Sequence, residues 1–78
     1  MSEVIARIQK SRTAEIRVTR DCYEGREVVD IRVWFMEAAS GLWKPSSRGV
    51  QFDEKKLEAV IAGLASARRP VRTISQAT

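Results

Sequence analysis

The chain has 78 residues and a formal net charge of +4, with one cysteine and no histidine. A chain this short forms one domain, and its core is marginal unless a disulfide, a metal or a partner subunit adds to it. One cysteine cannot form an internal disulfide, and without histidine the chain lacks a ligand set for zinc. Composition therefore excludes a disulfide and a metal and leaves a partner subunit.

Composition also bears on location and partners. No apolar run approaches the roughly 20 residues needed to cross a bilayer, and the N-terminus lacks the order of a secretory signal. We therefore expect an intracellular protein with no membrane partner, in the cytoplasm or nucleoid, or in the nucleus of a eukaryote. Ten of the fourteen cationic residues are arginine, whose flat guanidinium both forks onto phosphate and stacks on bases. This composition favours a nucleic-acid partner.

The first predicted elements are strands. The N-terminal VIARI, residues 4–8, is a possible first strand, joined by a polar segment to EIRVTR at residues 15–20. In EIRVTR, Ile16 and Val18 alternate with polar residues, which is typical of a half-buried strand. YEGR, residues 23–26, then predicts a tight hairpin, because Gly25 can adopt the positive φ that such a turn needs.

The next strand, EVVDIRVWFM at residues 27–36, has two different faces. One face carries Val29, Ile31, Val33 and Phe35, and the other carries Val28, Asp30, Arg32, Trp34 and Met36. A second glycine-containing turn over residues 37–42 predicts a third strand at 42–45 and a fourth at 49–52. Pro45 cannot donate to a ladder, so we expect it at a strand end or on an edge strand.

A helix is predicted to follow Asp53, a good N-cap residue, over residues 54–67. Its apolar residues recur at helical spacing and form one stripe that serves as core or as a dimer contact. They are Leu57, Val60, Ile61 and Leu64. Pro70 ends the helix, and residues 68–78 are expected to form a basic flexible tail. The outline is an α+β fold with a single domain at residues 1–67.

Catalysis finds little support in this sequence. The carboxylates are scattered beside cations, and Cys22 has no neighbouring base, so we interpret it as a small residue at a strand end. Glycine-rich phosphate loops are absent as well. We therefore predict a protein that is not an enzyme and that needs no cofactor or metal.

Binding is better supported, because aromatic and cationic residues interleave along the strands. They are Tyr23, Arg26, Arg32, Trp34, Phe35, Trp43, Lys44 and Arg48. Single-stranded nucleic acid is bound by such mixtures, with bases stacking on rings and cations following phosphates. Structural alternatives stay open. Each tryptophan could belong to the core, and Phe35 alternates in step with the apolar residues of its strand, which places it on their face. Lys44 and Arg48 could equally belong to a solvated surface.

These segments together resemble a known family. YEGREVVDIRVWF, then WKPSSRGVQF after a glycine turn, then one helix, is similar to the C-terminal single-stranded-DNA-binding domain of the transcriptional coactivator positive cofactor 4 family. The similarity spans about residues 15–67. Three motifs carry it: the hairpin at 23–26, the Asp-Ile-Arg run at 30–32 with the aromatics after it, and WKPSSRG at 43–49.

The resemblance implies a homodimer in which each chain has a curved antiparallel sheet of four to five strands and one C-terminal helix. It implies sequence-tolerant binding of single-stranded DNA, or of melted duplex, in transcription or genome maintenance. Whether RNA competes with DNA stays open. The implied stacking residues are Tyr23 and Phe35, and the implied phosphate contacts are Arg26, Arg32, Lys44 and Arg48. Glu24 departs from the family, which often has lysine there.

Two questions stay open at this point. Simple alternation places Trp34 on the polar face and Phe35 on the apolar face. A twist or bulge in the strand can break this alternation, so either ring is a candidate for facing the DNA. The alternative function is a protein-interaction module that recruits transcription or repair machinery through the helix face or the tail. For the 43–49 loop, we expect Trp43 to support the sheet and Gly49 to permit close approach.

Overall fold

The computed structural model describes residues 2–68, which form a four-stranded antiparallel sheet followed by one helix. The strands lie in chain order across the sheet. They are β1 (Glu3–Ser11), β2 (Ala14–Tyr23), β3 (Arg26–Met36) and β4 (Trp43–Asp53), and a single 3₁₀ turn (Glu54–Lys56) leads into α1 (Leu57–Ser66). The predicted α+β class, with an antiparallel sheet and one C-terminal helix, is confirmed, and so is the N-terminal strand.

The hairpin between β2 and β3 is as tight as predicted. Its two turn residues, Glu24 and Gly25, have φ of +52° and +76°, so both are left-handed, as in the turns that match the twist of paired strands. Tyr23 lies directly opposite Arg26. This turn fixes the register of the whole β2–β3 pair.

Strand β4 corrects one prediction. Residues 42–45 and 49–52 were expected as separate strands, but β4 runs continuously from Trp43 to Asp53. Arg32 is opposite Gly49 and Trp34 is opposite Pro45, so three residues of β4 face one residue of β3. This bulge absorbs the polar insertion that looked like a break, and Pro45 lies on an edge strand as expected.

The helix begins with a 3₁₀ turn rather than an α-helical one. The Asp53 carboxylate accepts a hydrogen bond from the Lys55 N–H at 2.9 Å, which confirms the predicted N-cap. The α-helix begins at Leu57 and ends at Ser66. Pro70 and residues 69–78 lie outside the described residues, so the predicted boundary between a domain at 1–67 and a tail at 68–78 stays a prediction.

One ion-pair cluster joins the sheet to the start of the helix. Arg20 Nη2 donates to Glu27 Oε1 at 2.9 Å and also to the Glu54 carboxylate in the 3₁₀ turn. These hydrogen bonds raise the pKa of Arg20, that from Glu27 most strongly. Because Arg20 and Glu54 are 34 residues apart in the chain, the cluster helps to orient the helix relative to the hairpin.

The sheet has an apolar face and a polar face, set by the strand register. Directly paired residues share a face, which places Ile16, Val18, Ile31, Val33, Phe35, Val50 and Phe52 on the apolar face. The helix leaves most of this face uncovered. Among the described residues, only Val28 and Val29 are buried hydrophobics, at 8% and 3% exposure.

The apolar stripe of the helix is also incompletely covered. Leu57 and Val60 are half-buried, whereas Ile61 and Leu64 are 49% and 60% exposed. Within one chain, the stripe therefore does not close a core with the sheet. Its assignment as a dimer contact stays a prediction.

Candidate nucleic-acid interface

Tyr23 and Arg26 form an exposed ring and cation pair at the end of the β2–β3 hairpin. They are direct cross-strand neighbours on the polar face. The Tyr23 residue is 61% exposed and the Arg26 side chain is 75% exposed. Arg26 Nη1 lies 3.9 Å from Asp53 Oδ2, a loose contact that leaves the guanidinium accessible. A base on this ring would have a cation beside it for the phosphate.

Phe35 and Lys44 form a second pair of the same kind. Phe35 on β3 is directly opposite Lys44 on β4, and Phe35 is 40% exposed. Lys44 Nζ lies 3.3 Å from Glu37 Oε2 in the loop between these strands. A phosphate at this position would compete with one exposed carboxylate for the cation.

The two pairs lie at opposite ends of β3 and on opposite faces of the sheet. Arg26 is the first residue of β3 and pairs with Tyr23 on β2. Phe35 is nine positions further along β3, a separation of about 30 Å at the rise of an extended strand. Parity correctly assigned Phe35 to the apolar face with Ile31 and Val33. It did not predict the exposure of this ring, which is 40% among the described residues.

The two tryptophans lie on the polar face and hold an arginine between them. The Arg17 guanidinium carbon is 4.2 Å from the Trp34 ring centroid and 5.6 Å from that of Trp43. Within residues 2–68, the buried Trp34 indole N–H has no hydrogen-bond partner. The stacking surface of Trp34 is therefore occupied by Arg17, and the assignment of Trp43 as a support of the sheet stays a prediction.

Sequence reasoning missed Arg17, although the hairpin contains the signal for it. With Tyr23 opposite Arg26, the register places Glu15 opposite Trp34 and Arg17 opposite Arg32. Residues on adjacent strands at diagonal positions are within reach of long side chains. Extending that register along β2 would have brought Arg17 beside Trp34.

Glu15 forms an ion pair with this arginine. The residue is buried, at 7% exposure. Its carboxylate accepts hydrogen bonds from Arg7 Nε at 2.8 Å and from Arg17 Nε. The hydrogen bond from Arg7, followed by that from Arg17, holds the pKa of Glu15 below its usual range despite the opposing effect of burial. Paired and covered in this way, Arg17 is a structural cation.

Arg32 and Arg48 flank the bulge in β4. Arg32 donates to both oxygens of Asp30, at 2.8 and 3.0 Å, and to the Ser46 carbonyl at 3.0 Å, and the Asp30 hydrogen bond raises the Arg32 pKa. Arg48 is exposed and borders an apolar depression of about 300 Å³ that Ile16 also lines. Of these two predicted phosphate contacts, Arg48 is the more accessible.

Gly49 has the role in close approach that the sequence suggested. A Cβ at this position would lie 2.7 Å from the Ile31 carbonyl oxygen and 2.8 Å from Arg32 Cβ. The backbone of β4 therefore approaches β3 more closely than any side chain permits. Only glycine keeps the bulge and Arg48 in this position.

Two kinds of site are not found in residues 2–68. No three side chains among His, Cys, Asp and Glu come together where they could hold a metal ion. No helix in this part of the chain is long and apolar enough to span a membrane.

Comparison with known proteins shows the family of this chain. The family model of Transcriptional Coactivator p15 (PC4) matches residues 10–63. A search of curated proteins finds no match. A PC4 homolog from Burkholderia pseudomallei is 35% identical in its orthorhombic crystal form, with a TM-score of 0.80, covering 87% of this chain and 90% of that one.

Two further structures share the fold. The tetragonal form of the Burkholderia pseudomallei homolog is also 35% identical and has a TM-score of 0.81, covering 88% of this chain and all of that one. A bacteriophage T5 homolog of the eukaryotic coactivator, implicated in recombination-dependent DNA replication, is 18% identical with a TM-score of 0.63, covering 86% of this chain and 74% of that one. The chain belongs to the PC4 family.

Proposed function

We propose that this member of the PC4 family is a homodimeric, sequence-tolerant binder of single-stranded DNA that acts in transcription regulation or genome maintenance. Its family is named for a transcriptional coactivator. The observation that carries the proposal is that each of two exposed rings lies directly opposite a cation on the adjacent strand. The pairs are Tyr23 with Arg26, and Phe35 with Lys44. Rings that stack on any base and cations that follow phosphates together bind single strands without reading their sequence.

Phe35, rather than Trp34, is the stacking ring at the far end of β3. A base needs a free ring face, and Arg17 already covers Trp34 at 4.2 Å. Phe35 is 40% exposed and is next to Lys44. Using Trp34 instead would require displacing a guanidinium that is itself held by Glu15.

The cations divide by accessibility. Arg26, Lys44 and Arg48 are exposed and able to meet a phosphate. Arg32 is a weaker phosphate ligand, because its guanidinium already donates to Asp30 and to the Ser46 carbonyl. We infer that Arg32 contributes mainly by holding the bulge that presents Arg48.

Dimerisation follows from the apolar surface that one chain leaves uncovered. Ile61 and Leu64 on the helix and Val50 on the apolar face are each about half exposed or more. The radius of gyration is 15.3 Å, whereas a compact chain of this length has a value of about 11.5 Å. A second copy that covers the helix stripe and part of the apolar face would supply the missing core.

The same exposed stripe favours the second candidate function, a protein-interaction module that recruits transcription or repair machinery through the helix. In that case a protein partner would cover Ile61 and Leu64, and contact with DNA would be secondary. Residues 69–78 of the basic tail, which was proposed as an alternative contact surface, lie outside the described residues. Measuring the mass of the isolated protein and its affinity for DNA separates the two functions.

The test is a fluorescence anisotropy titration of a labelled, unstructured oligonucleotide with the full chain at two salt concentrations. We expect tight binding that weakens with added salt, because cations that contact phosphates release counterions. Absence of binding even at low salt would contradict the proposal and leave the protein-interaction function. A variant with Lys10→Ala, a cation outside the two ring pairs, serves as the control for general charge.

A further inference from the structure

A depression of about 230 Å³ opens beside the Tyr23 ring at the hairpin end of the polar face. Its polar lining is supplied by Glu24 and Arg26 at the turn and by Gln51 and Asp53 at the end of β4. The volume is several times the roughly 30 Å³ that one water takes up in the liquid. A planar ring stacked on Tyr23 would therefore have room to place its edge among these groups.

The charges of this lining suit the edge of a base better than a phosphate. Two carboxylates, from Glu24 and Asp53, stand against the single guanidinium of Arg26. An anion entering the depression would meet repulsion, whereas an amino group would find acceptors. This separates the depression from Arg26 itself, whose exposed guanidinium is able to reach a phosphate outside it.

Two of these side chains have hydrogen-bonding capacity to spare. Asp53 Oδ1 accepts from the Lys55 N–H at 2.9 Å, and within residues 2–68 Oδ2 has only the guanidinium of Arg26, 3.9 Å away. The Gln51 side chain is exposed and makes no hydrogen bond to another described residue. Its amide offers donors and an acceptor, and the Asp53 carboxylate offers an acceptor only.

We propose that this depression takes one base carrying an exocyclic amino group, with cytosine as the best fit, and disfavours thymine. The inference rests on the proposed binding of single-stranded DNA through Tyr23. The cytosine 4-amino group donates to Asp53 Oδ2, while the Gln51 amide donates to the ring acceptors of the base. Thymine has a carbonyl oxygen where cytosine has the amino group, so it faces the carboxylate with an acceptor and loses the hydrogen bond.

The preference operates at one position of an otherwise sequence-tolerant interface. Phe35 and Lys44 lie about 30 Å along β3. The carboxylate beside them, that of Glu37, is already paired with Lys44 at 3.3 Å. A strand bound at the polar face through Tyr23 therefore gains a bias in register from one base, whereas the pair on the apolar face holds a nucleotide through a ring face and a phosphate alone. Cytosine and thymine are alike in size and should stack on Tyr23 about equally. A difference between their affinities therefore reports the hydrogen bonds at the edge of the base.

The test compares oligo-deoxycytidine with oligo-deoxythymidine of equal length as competitors, at slightly alkaline pH so that cytosine stays unprotonated. The full chain is used as wild type and as Asp53→Asn, Gln51→Leu and Glu58→Gln. Asparagine keeps the helix N-cap, and leucine replaces a side chain that is already exposed. Glu58→Gln removes the same charge as Asp53→Asn from an exposed helix position that does not line the depression.

We expect wild type to bind cytidine runs at least about fivefold more tightly than thymidine runs, the low end for one base-edge contact. The ratio should fall toward one in Asp53→Asn and in Gln51→Leu, and it should be unchanged in Glu58→Gln. Equal affinities in wild type, or a ratio that neither variant lowers, would overturn the inference. Binding of neither oligonucleotide would overturn the proposed function as well, so the two failures are distinguishable.

Discussion

Truncating Phe35 and truncating Lys44 should weaken DNA binding in different ways, although the two residues lie directly opposite each other. Loss of a ring that stacks on a base costs roughly 1–3 kcal/mol in binding free energy, about five- to 150-fold in affinity. That cost should not depend on salt, because a ring releases no counterions. Loss of one phosphate contact instead flattens the plot of log affinity against log salt by about 0.7.

The structure also gives the expected effect of each change on folding. Phe35 is 40% exposed, so Phe35→Ala removes only part of the contacts of a core phenylalanine, whose loss costs about 3–5 kcal/mol. A destabilisation on the order of 2 kcal/mol is expected. Phe35→Leu keeps most of the apolar contact and removes the ring, which separates stacking from stability. Lys44→Ala loses only an exposed ion pair with Glu37 and should leave stability nearly unchanged.

The assay is anisotropy titration of each variant across a series of salt concentrations, beside a thermal melt of the same samples. Phe35→Leu should lie on a line parallel to wild type but displaced to weaker binding, and Lys44→Ala on a shallower line. Parallel lines for both variants would refute the division of labour. A Phe35→Leu protein that binds as wild type would show the ring to be structural, as parity first suggested, and would move the stacking role to Trp34.

Three further outcomes are expected. Gly49→Ala should lower the free energy of unfolding by about 1–3 kcal/mol in a denaturant titration, because its Cβ would lie 2.7 Å from the Ile31 carbonyl oxygen; unchanged stability would contradict the close approach. The pKa of Glu15 is held below its ordinary value of 4.5, chiefly by the Arg7 hydrogen bond, so its stabilising contribution is fully present above that value and is lost as the pH falls through the lower folded pKa. As the pH falls over that interval, the Tm of Glu15→Gln should therefore fall less than the Tm of wild type. Equal decreases in Tm would argue against the ion pairs of Glu15 with Arg7 and Arg17. Light scattering at micromolar concentration should give twice the chain mass of 8.8 kDa, and a monomer would contradict the dimer.

Local sequence signals predicted the parts of the fold that short-range chemistry determines. Gly25 at the turn and alternation on both sides of it predicted the β2–β3 hairpin, and Asp53 before a polar turn and an apolar stripe predicted the helix start. Gly49 was correctly linked to close approach. The hairpin and the helix start depend on neighbours within a few residues, where the conformational preferences of glycine and aspartate dominate. The close approach at Gly49 is to the paired strand β3, and the sequence signal for it is only the absence of a side chain.

The remaining features depend on contacts between distant segments. Continuity of β4 through Pro45 and Ser46 depends on β3, whose Val33 carbonyl accepts from Ser46 Oγ at 2.8 Å and holds the bulge in the sheet. Arg17 stacks on two tryptophans from two other strands. The exposure of Phe35 depends on which segments cover its face of the sheet, which periodicity does not reveal. These are properties of pairing and packing, so no short window of sequence contains them.

Competition between a single strand and its own duplex examines the proposed mode of binding most directly. Wild-type protein bound to a labelled mixed-sequence single strand would be displaced with the same strand, unlabelled, and with the duplex made from it. Because the bases of a duplex are already stacked on one another, Tyr23 and Phe35 gain nothing from it, and the single strand should compete at least about tenfold more effectively. Displacement by the duplex at equal concentration would contradict binding through exposed rings and would leave charge alone as the source of affinity.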